Sequence, residues 1–269
     1  MPRFTERVIL TNMNVTPALK QNSGQEQILK TKYLFLNLLR MFRPGLILDV
    51  GSMDGSDSMR FRLMSPQSKI IAFEANPYNY AKMQNNPRLA QLHIEVRNRL
   101  VSNKAEKGKF YISREAVAGR NSGNMGTSSS MKPVNAADIA EEIEVDTTRL
   151  DEIIKSESLS ADWVAMWIDV EGAGYEVLGS VIGAKQHIAL LHIEVELAEF
   201  WVGQKLKNDV IQLANDLGLV LLACSDNDKQ QDLVFINAKL LRERASTVRF
   251  ATFLAKWIGP ASSRLLERF

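Results

Sequence analysis

The chain has 269 residues, 45% of them hydrophobic and 24% charged, with a formal net charge of +2. That length and balance allow one large domain with a buried core, and near-neutral charge leaves no electrostatic footprint for nucleic acid. One cysteine, Cys224, and three histidines exclude an internal disulfide and a multi-cysteine or histidine-rich metal centre. The opening residues lack the order of a secretory signal, and no apolar run reaches the ~18 residues of a membrane span. A cytoplasmic protein is expected.

Residues 1–23 lack periodicity and read as an arm. From Gln25 to Phe42, apolar positions such as Leu34, Leu38 and Leu39 predict a largely buried helix, which Pro44 and Gly45 stop. Leu46–Val50 is a short apolar run broken by one acid, the pattern of a strand covered on both faces. The next such run is Lys69–Glu74, with helix-compatible sequence between the two. This alternation predicts βαβ units and a mostly parallel sheet. Further strands are expected at Gln91–Val96, Gly108–Ile112 and Glu142–Val145, and a short helix at Leu150–Lys155. Residues 114–135 read as a loop insertion. Trp163–Asp169 and Ile188–Ile193 should be central strands, and Asp209–Leu217 a helix. Leu219–Cys224 and Asp232–Ile236 should close the sheet as a hairpin. The chain thus divides into an N-terminal arm and helix (1–44), a main domain (45–237) and a basic helical tail (238–269).

Between the first strand and its helix lies Asp49-Val50-Gly51-Ser52-Met53-Asp54-Gly55. Gly51 and Gly55, lacking a Cβ, let the backbone turn sharply and approach a ligand closely. Helix N–H groups just beyond can meet an anionic or polar ligand end. The spacing is not the GxGxxG of dinucleotide binders. Glu74 ends the next strand, so Asp49 and Glu74 should reach the same carboxyl edge of the sheet. A carboxylate there can accept both hydroxyls of a ribose. Ser52, Asp54 and Asn76 fall at this edge too. Asn76-Pro77-Tyr78 itself reads as turn chemistry.

A second group of acids follows the central strands. Asp169 and Glu171 end WVAMWID, while His192, Glu194 and Glu196 end IALLHI. Ligands bind at the carboxyl edge of open α/β sheets, and charges are costly inside a doubly covered sheet. Asp169, Glu171, Glu194 or His192 is therefore the candidate general base for an acceptor hydroxyl. The same acids are of the type that holds a hard divalent ion, although no metal is expected. Helix capping or arginine pairing is the competing role for any one of them.

The ordered set LILDVGSMDG, AFEANP, NMGTSSS, TRLDEII, WIDVEGAGYEVL and HIEVE resembles the FkbM family of S-adenosylmethionine-dependent methyltransferases, over roughly residues 45–200. The resemblance implies an α/β, Rossmann-like fold: a mostly parallel seven-stranded sheet, one reversed edge strand, and helices on both faces. It implies S-adenosylmethionine as cofactor, with S-adenosylhomocysteine as product, and a hydroxyl of a sugar, glycolipid or polyketide-type molecule as acceptor. By position, Asp49, Gly51 and Gly55 would shape the methionine end of the cofactor site, Glu74 would hold the ribose, and Asp169 and Glu171 would border the methyl group. Two departures stand out: Trp167 where a lysine is usual, and Gly174 where a second acid is usual. The NMGTSSS loop could close as a lid. An NAD-dependent oxidoreductase or epimerase and a non-catalytic nucleoside-binding module are the alternatives.

The tail from Lys239 to Phe269 carries seven basic and two acidic residues, a net of +5. Phe250, Phe253, Leu254, Trp257 and Ile258 recur at helical spacing and are expected to share a face. That face would dock on the domain, form a homodimer contact, or rest on an anionic membrane surface.

Overall fold

The structure is a computed structural model that describes residues 24–104, 106–114, 128–157 and 163–257. The first block is α1 (Gly24–Phe42), β1 (Leu46–Val50), α2 (Ser56–Met64), β2 (Lys69–Phe73), α3 (Pro77–Gln84), α4 (Pro87–Gln91) and β3 (Ile94–Arg97). Five short strands follow: β4 (Leu100–Val101), β5 (Gly108–Ser113), β6 (Ser128–Ser129), β7 (Ile139–Val145) and β8 (Thr147–Thr148). The alternation then resumes with α5 (Leu150–Ser156), β9 (Val164–Ile168), α6 (Gly174–Gly179), β10 (Ile188–Glu196), α7 (Lys207–Asp216), β11 (Leu219–Cys224) and β12 (Gln230–Asn237). Two helices, α8 (Ala238–Glu243) and α9 (Ala245–Trp257), end the described chain.

Seven strands form the main sheet in the order β11-β12-β10-β9-β1-β2-β3. The pairs from β10 through β3 are parallel, and β12 runs antiparallel to both neighbours. Side chains alternate across it. Leu46, Leu48, Met166 and Ile168 face one core, closed by Leu150 and Ile154 of α5, Val177 of α6 and Val210 of α7. Ile47, Ala165 and Trp167 face the other, with Leu34 and Phe35 of α1, Phe61 of α2 and Val248 of α9. Continuous apolar runs become central strands because both faces are covered.

Three expectations are corrected. The reversed strand is not at the edge: β12 is inserted between β10 and β11. Asp232–Ile236 is buried at every position, whereas β11 is buried only at Leu219. The strand that needs partners on both sides lies inside, and the half-covered one takes the edge; the two still pair as the expected hairpin. Second, Gly108–Ile112 and Glu142–Val145 are strands, but of a separate antiparallel sheet, β6-β5-β7. Ser128–Ser129, read as part of a loop, is its third strand. Third, the aromatic face of the tail is not the docked one. Val248, Ala251 and Ala255 are buried where α9 meets α1, while Phe250 and Phe253 are 55% and 54% exposed. Small residues spaced three and four apart allow the closer approach of the two helices. The side chain of Trp257, all of Ile258, the 1–23 arm and residues 124–127 of NMGTSSS lie outside the described residues. Among the described residues no helix is long and apolar enough to cross a membrane.

Candidate active site

After β1 the chain turns through Gly51–Gly55, where Gly51, Met53 and Gly55 have φ of 83°, 53° and 79°. At Gly51 a Cβ would stand 1.9 Å from the Asp169 carbonyl oxygen. Glycine is what lets this turn touch the one after β9. Beneath it, Asp49 Oδ2 accepts hydrogen bonds from Ser52 Oγ (2.7 Å) and Ser58 Oγ (2.5 Å), while its buried Oδ1 has no hydrogen-bond partner among the described residues. Burial pushes this carboxyl up to about 7 against the pull of those hydroxyls. Asp54 is exposed and its Oδ1 accepts from Ser56 N, tying the turn to the start of α2.

Glu74 sits past the end of β2, with each oxygen held by a backbone N–H: Oε2 by Met53 and Oε1 by Asn76, both at 2.7 Å. Burial pushes it up to about 7, opposed by those two bonds. The carboxylate lines a cavity with Gly51, Met53, Asp54, Asp57, Asn79 and Ser128–Ser130. Two bonds leave a carboxylate with acceptor capacity to spare, which fits a ribose diol. Asn76 is not part of this wall. It caps α3, accepting from Tyr78 N at 3.0 Å, and Pro77 takes the first helical position. The turn expected at Asn76-Pro77-Tyr78 is a helix start.

Asp169 follows β9. Its side chain is exposed towards the same cavity. The surrounding protein, followed by Asp232 and Asp57, pushes it up to about 7. Glu171 is two residues on, and burial followed by Asp169 pushes it to about 7 as well. Burial raises Glu194 furthest, to about 10, with Asp169 and Glu171 adding to it. Carboxylate oxygens of Glu171, Glu194 and Glu196 come within 4.8 Å of one another. Close carboxyls cannot all ionise at neutral pH, so this set stores protons. Glu194 accepts from Gln230 Nε2 at 3.1 Å, and Glu196 accepts from Gly172 N at 2.8 Å.

His192 is not at a strand end, because β10 continues to Glu196 along β12. Its ring stacks on Trp167 at 3.5 Å and 6°, and among the described residues neither nitrogen has a hydrogen-bond partner. Burial, then Lys32, holds it well below the usual imidazole range and therefore neutral. Lys32 of α1 places its ammonium 5.3 Å from the Trp167 ring centre. Gly174 packs under β10, where a Cβ would come within 3.2 Å of Ile193 Cδ1.

A second, larger cavity of about 700 Å³ opens beside the first. Its walls come from the small sheet and the residues that flank its strands (Tyr111, Arg114, Asp138), the chain after β10 (Glu199, Phe200, Trp201) and the residues that lead into β12 (Lys229, Gln230). Trp201 is held against Gly172, where a Cβ would lie 2.3 Å from Trp201 Cδ1. Glu171 is the only described residue lining both cavities; Glu194 and His192 line neither. Lys32, Asp57, Trp201 and Gln230 were missed from sequence. A lysine between buried Thr31 and Leu34, mid-helix, is the one signal that could have singled out Lys32.

The Methyltransferase FkbM domain matches residues 49–221. The 2-O-methyltransferase NoeI of Sinorhizobium fredii is 26% identical over 225 residues, covering 79% of this chain and 87% of NoeI. Among solved structures, the methyltransferase FkbM of Methylobacillus flagellatus aligns with 72% of this chain and 44% of its own, at 13% identity and a TM-score of 0.45. The magnesium protoporphyrin IX methyltransferase ChlM of Synechocystis, solved with bound S-adenosylmethionine, aligns over 80% of both chains at 11% identity and a TM-score of 0.43. The family domain spans well over half of this sequence: the chain belongs to the FkbM family and is an S-adenosylmethionine-dependent methyltransferase.

Proposed function

We propose that the enzyme methylates a hydroxyl oxygen of a polyhydroxylated acceptor, a sugar or glycolipid before a polyketide, with Glu171 as the base. The observation that carries this reading is the position of Glu171 at the junction of the two cavities. Asp49, Gly51, Ser52, Asp54 and Glu74 surround the smaller one, where the cofactor would lie, and Asp169 faces its inner end. Bound S-adenosylmethionine supplies the methyl group. The larger cavity combines aromatic surface with charges of both signs, Arg114 and Lys229 against Asp138 and Glu199. Such walls suit a neutral acceptor with many hydroxyls and some apolar face. The 2-O-methyltransferase relative favours oxygen as the methylated atom.

Glu171 would take the hydroxyl proton as the new carbon–oxygen bond forms. At about 7 its carboxyl is part ionised at neutral pH. Glu194, held protonated, keeps a negative charge from crowding the base. A base must be ionised to act, so turnover should rise as pH climbs through about 7. Labelled S-adenosylmethionine and a panel of simple glycosides test the reading. Label should appear on a hydroxyl oxygen. Glu171→Gln should cut turnover ~10²–10⁴-fold, remove that pH limb and leave S-adenosylhomocysteine affinity near normal. Wild-type turnover in the amide variant, or label confined to nitrogen, would overturn the proposal.

A further inference from the structure

Asp49 of β1, Asp57 of α2, and Asp169 and Glu171 after β9 line the smaller cavity, and Glu194 and Glu196 of β10 and Asp232 of β12 add their charge from behind it. Asp169 is drawn the other way by one cation, Lys32, which reaches in from α1. The Lys32 ammonium pairs with Asp57, which Arg60 also holds at 2.8 Å. It also lies over the Trp167 ring. Asp57 and Trp167 both line the cavity, so the ammonium stands directly behind its wall. Neutral His192 stacks on the same ring. Lys32 lies outside the 49–221 segment that matches the family.

We propose that Lys32 is a positioning residue of the cofactor site: it fixes Asp57 and keeps the Asp169 carboxyl negatively charged to receive the α-ammonium group of the cofactor's methionine end. This rests on the proposed placement of the cofactor and seats its methionine end at Asp169, whose carbonyl lies against the Gly51 turn. An isolated cluster of acids would resist holding so many charges in a desolvated crevice. One ammonium over an aromatic face, pinned by Asp57, offsets that repulsion without entering the ligand space. Asp169 and Asp232 are both pulled down by Lys32 against the burial that raises them.

The test is calorimetry with S-adenosylhomocysteine and with 5′-methylthioadenosine, which lacks the amino-acid end, across neutral to mildly basic pH. A neighbouring charge moves a carboxyl by about one unit or more. One unit upward from about 7 leaves roughly a tenth of Asp169 ionised at pH 7 in place of half. Lys32→Met should therefore weaken S-adenosylhomocysteine about fivefold at pH 7, with recovery towards wild type by pH 8.5. Methylthioadenosine affinity should not change, and Lys32→Arg should behave as wild type. An equal, pH-independent loss for both ligands would reduce Lys32 to a structural part and end the proposal. So would an unaffected Lys32→Met beside a weakened Asp169→Asn. If Asp169→Asn binds S-adenosylhomocysteine normally at pH 7, the underlying placement of Asp169 fails instead.

Discussion

The two cavities that meet at Glu171 are built differently. In the cavity proposed for the cofactor, polar groups are held from within: Glu74 by two backbone N–H groups, Asp49 by two serine hydroxyls, and the turn by three residues with positive φ. On the other side the walls are mostly solvent-facing side chains, each tied to its own neighbourhood: Arg114 to the Ala137 carbonyl, Glu199 to Gly203 N and Gln230 to Glu194. Phe200 is 41% exposed and Lys229 is exposed. One half is pre-organised by backbone, which costs little to order when a ligand arrives. The other is a surface whose character can change by substitution without disturbing the sheet. This division fits the roles proposed for the two cavities.

The sharpest way to break the comparison is at Glu74. Glu74→Ala leaves the Met53 and Asn76 N–H groups without their carboxylate partner and would remove the proposed ribose contact. Hydrogen bonds to a charged group are worth ~1.5–3 kcal/mol each, so S-adenosylhomocysteine affinity should fall at least about tenfold by calorimetry. An unchanged affinity would show that this half is not organised around Glu74. The counterpart in the open half is Phe200→Ala. An aromatic contact contributes ~0.5–1.5 kcal/mol beyond its area, so the acceptor KM should rise only several-fold, with cofactor affinity unaltered. A drop in cofactor affinity here would mean that the two halves are coupled through more than Glu171.

The same contrast governs what could be read from sequence. Runs such as Leu46–Val50 and Trp163–Asp169 announce strands because burial on both faces demands continuous apolar residues. Gly51, Gly55, Asp49 and Glu74 were legible because backbone turns and strand ends set them by local spacing. Partners distant in sequence were not. Nothing local in Asp232–Ile236 says that it inserts between β10 and β11, and nothing in Gly108–Ile112 says that it joins a separate sheet. His192 was read at a strand end because the acids after it resemble an exit. The strand continues because Glu194 and Glu196 find Gln230 and the Gly172 N–H. The lysine expected at Trp167 is absent from β9, yet an ammonium reaches that ring from α1, and helical periodicity alone cannot show this.

The smallest predicted effect concerns the junction itself, and it appears in the ligand-free protein. Glu194 lines neither cavity, but burial raises it to about 10. An acid raised on folding keeps a proton that the unfolded chain has released. Stability then falls as pH rises from the unfolded value of about 4.5 towards 10. Asp151 and Glu157 have the opposite sign. Burial raises them, but Arg149 beside Asp151, and Lys69 and Arg97 beside Glu157, lower them further, and these pairs support the fold above their normal range. They are common to wild type and variant and cancel in the difference. Glu194→Gln keeps an acceptor for Gln230 and removes the charge, so its melting temperature should equal wild type near pH 5 and exceed it increasingly by pH 8. Each kcal/mol relieved is about 2–4 °C in a chain of this size, and partial solvent access near Glu194 keeps the gain to a few degrees. An equal loss at both pH values would show that Glu194 is ionised and structural. The crevice would then hold its acids charged, and the proton store beside Glu171 would not exist.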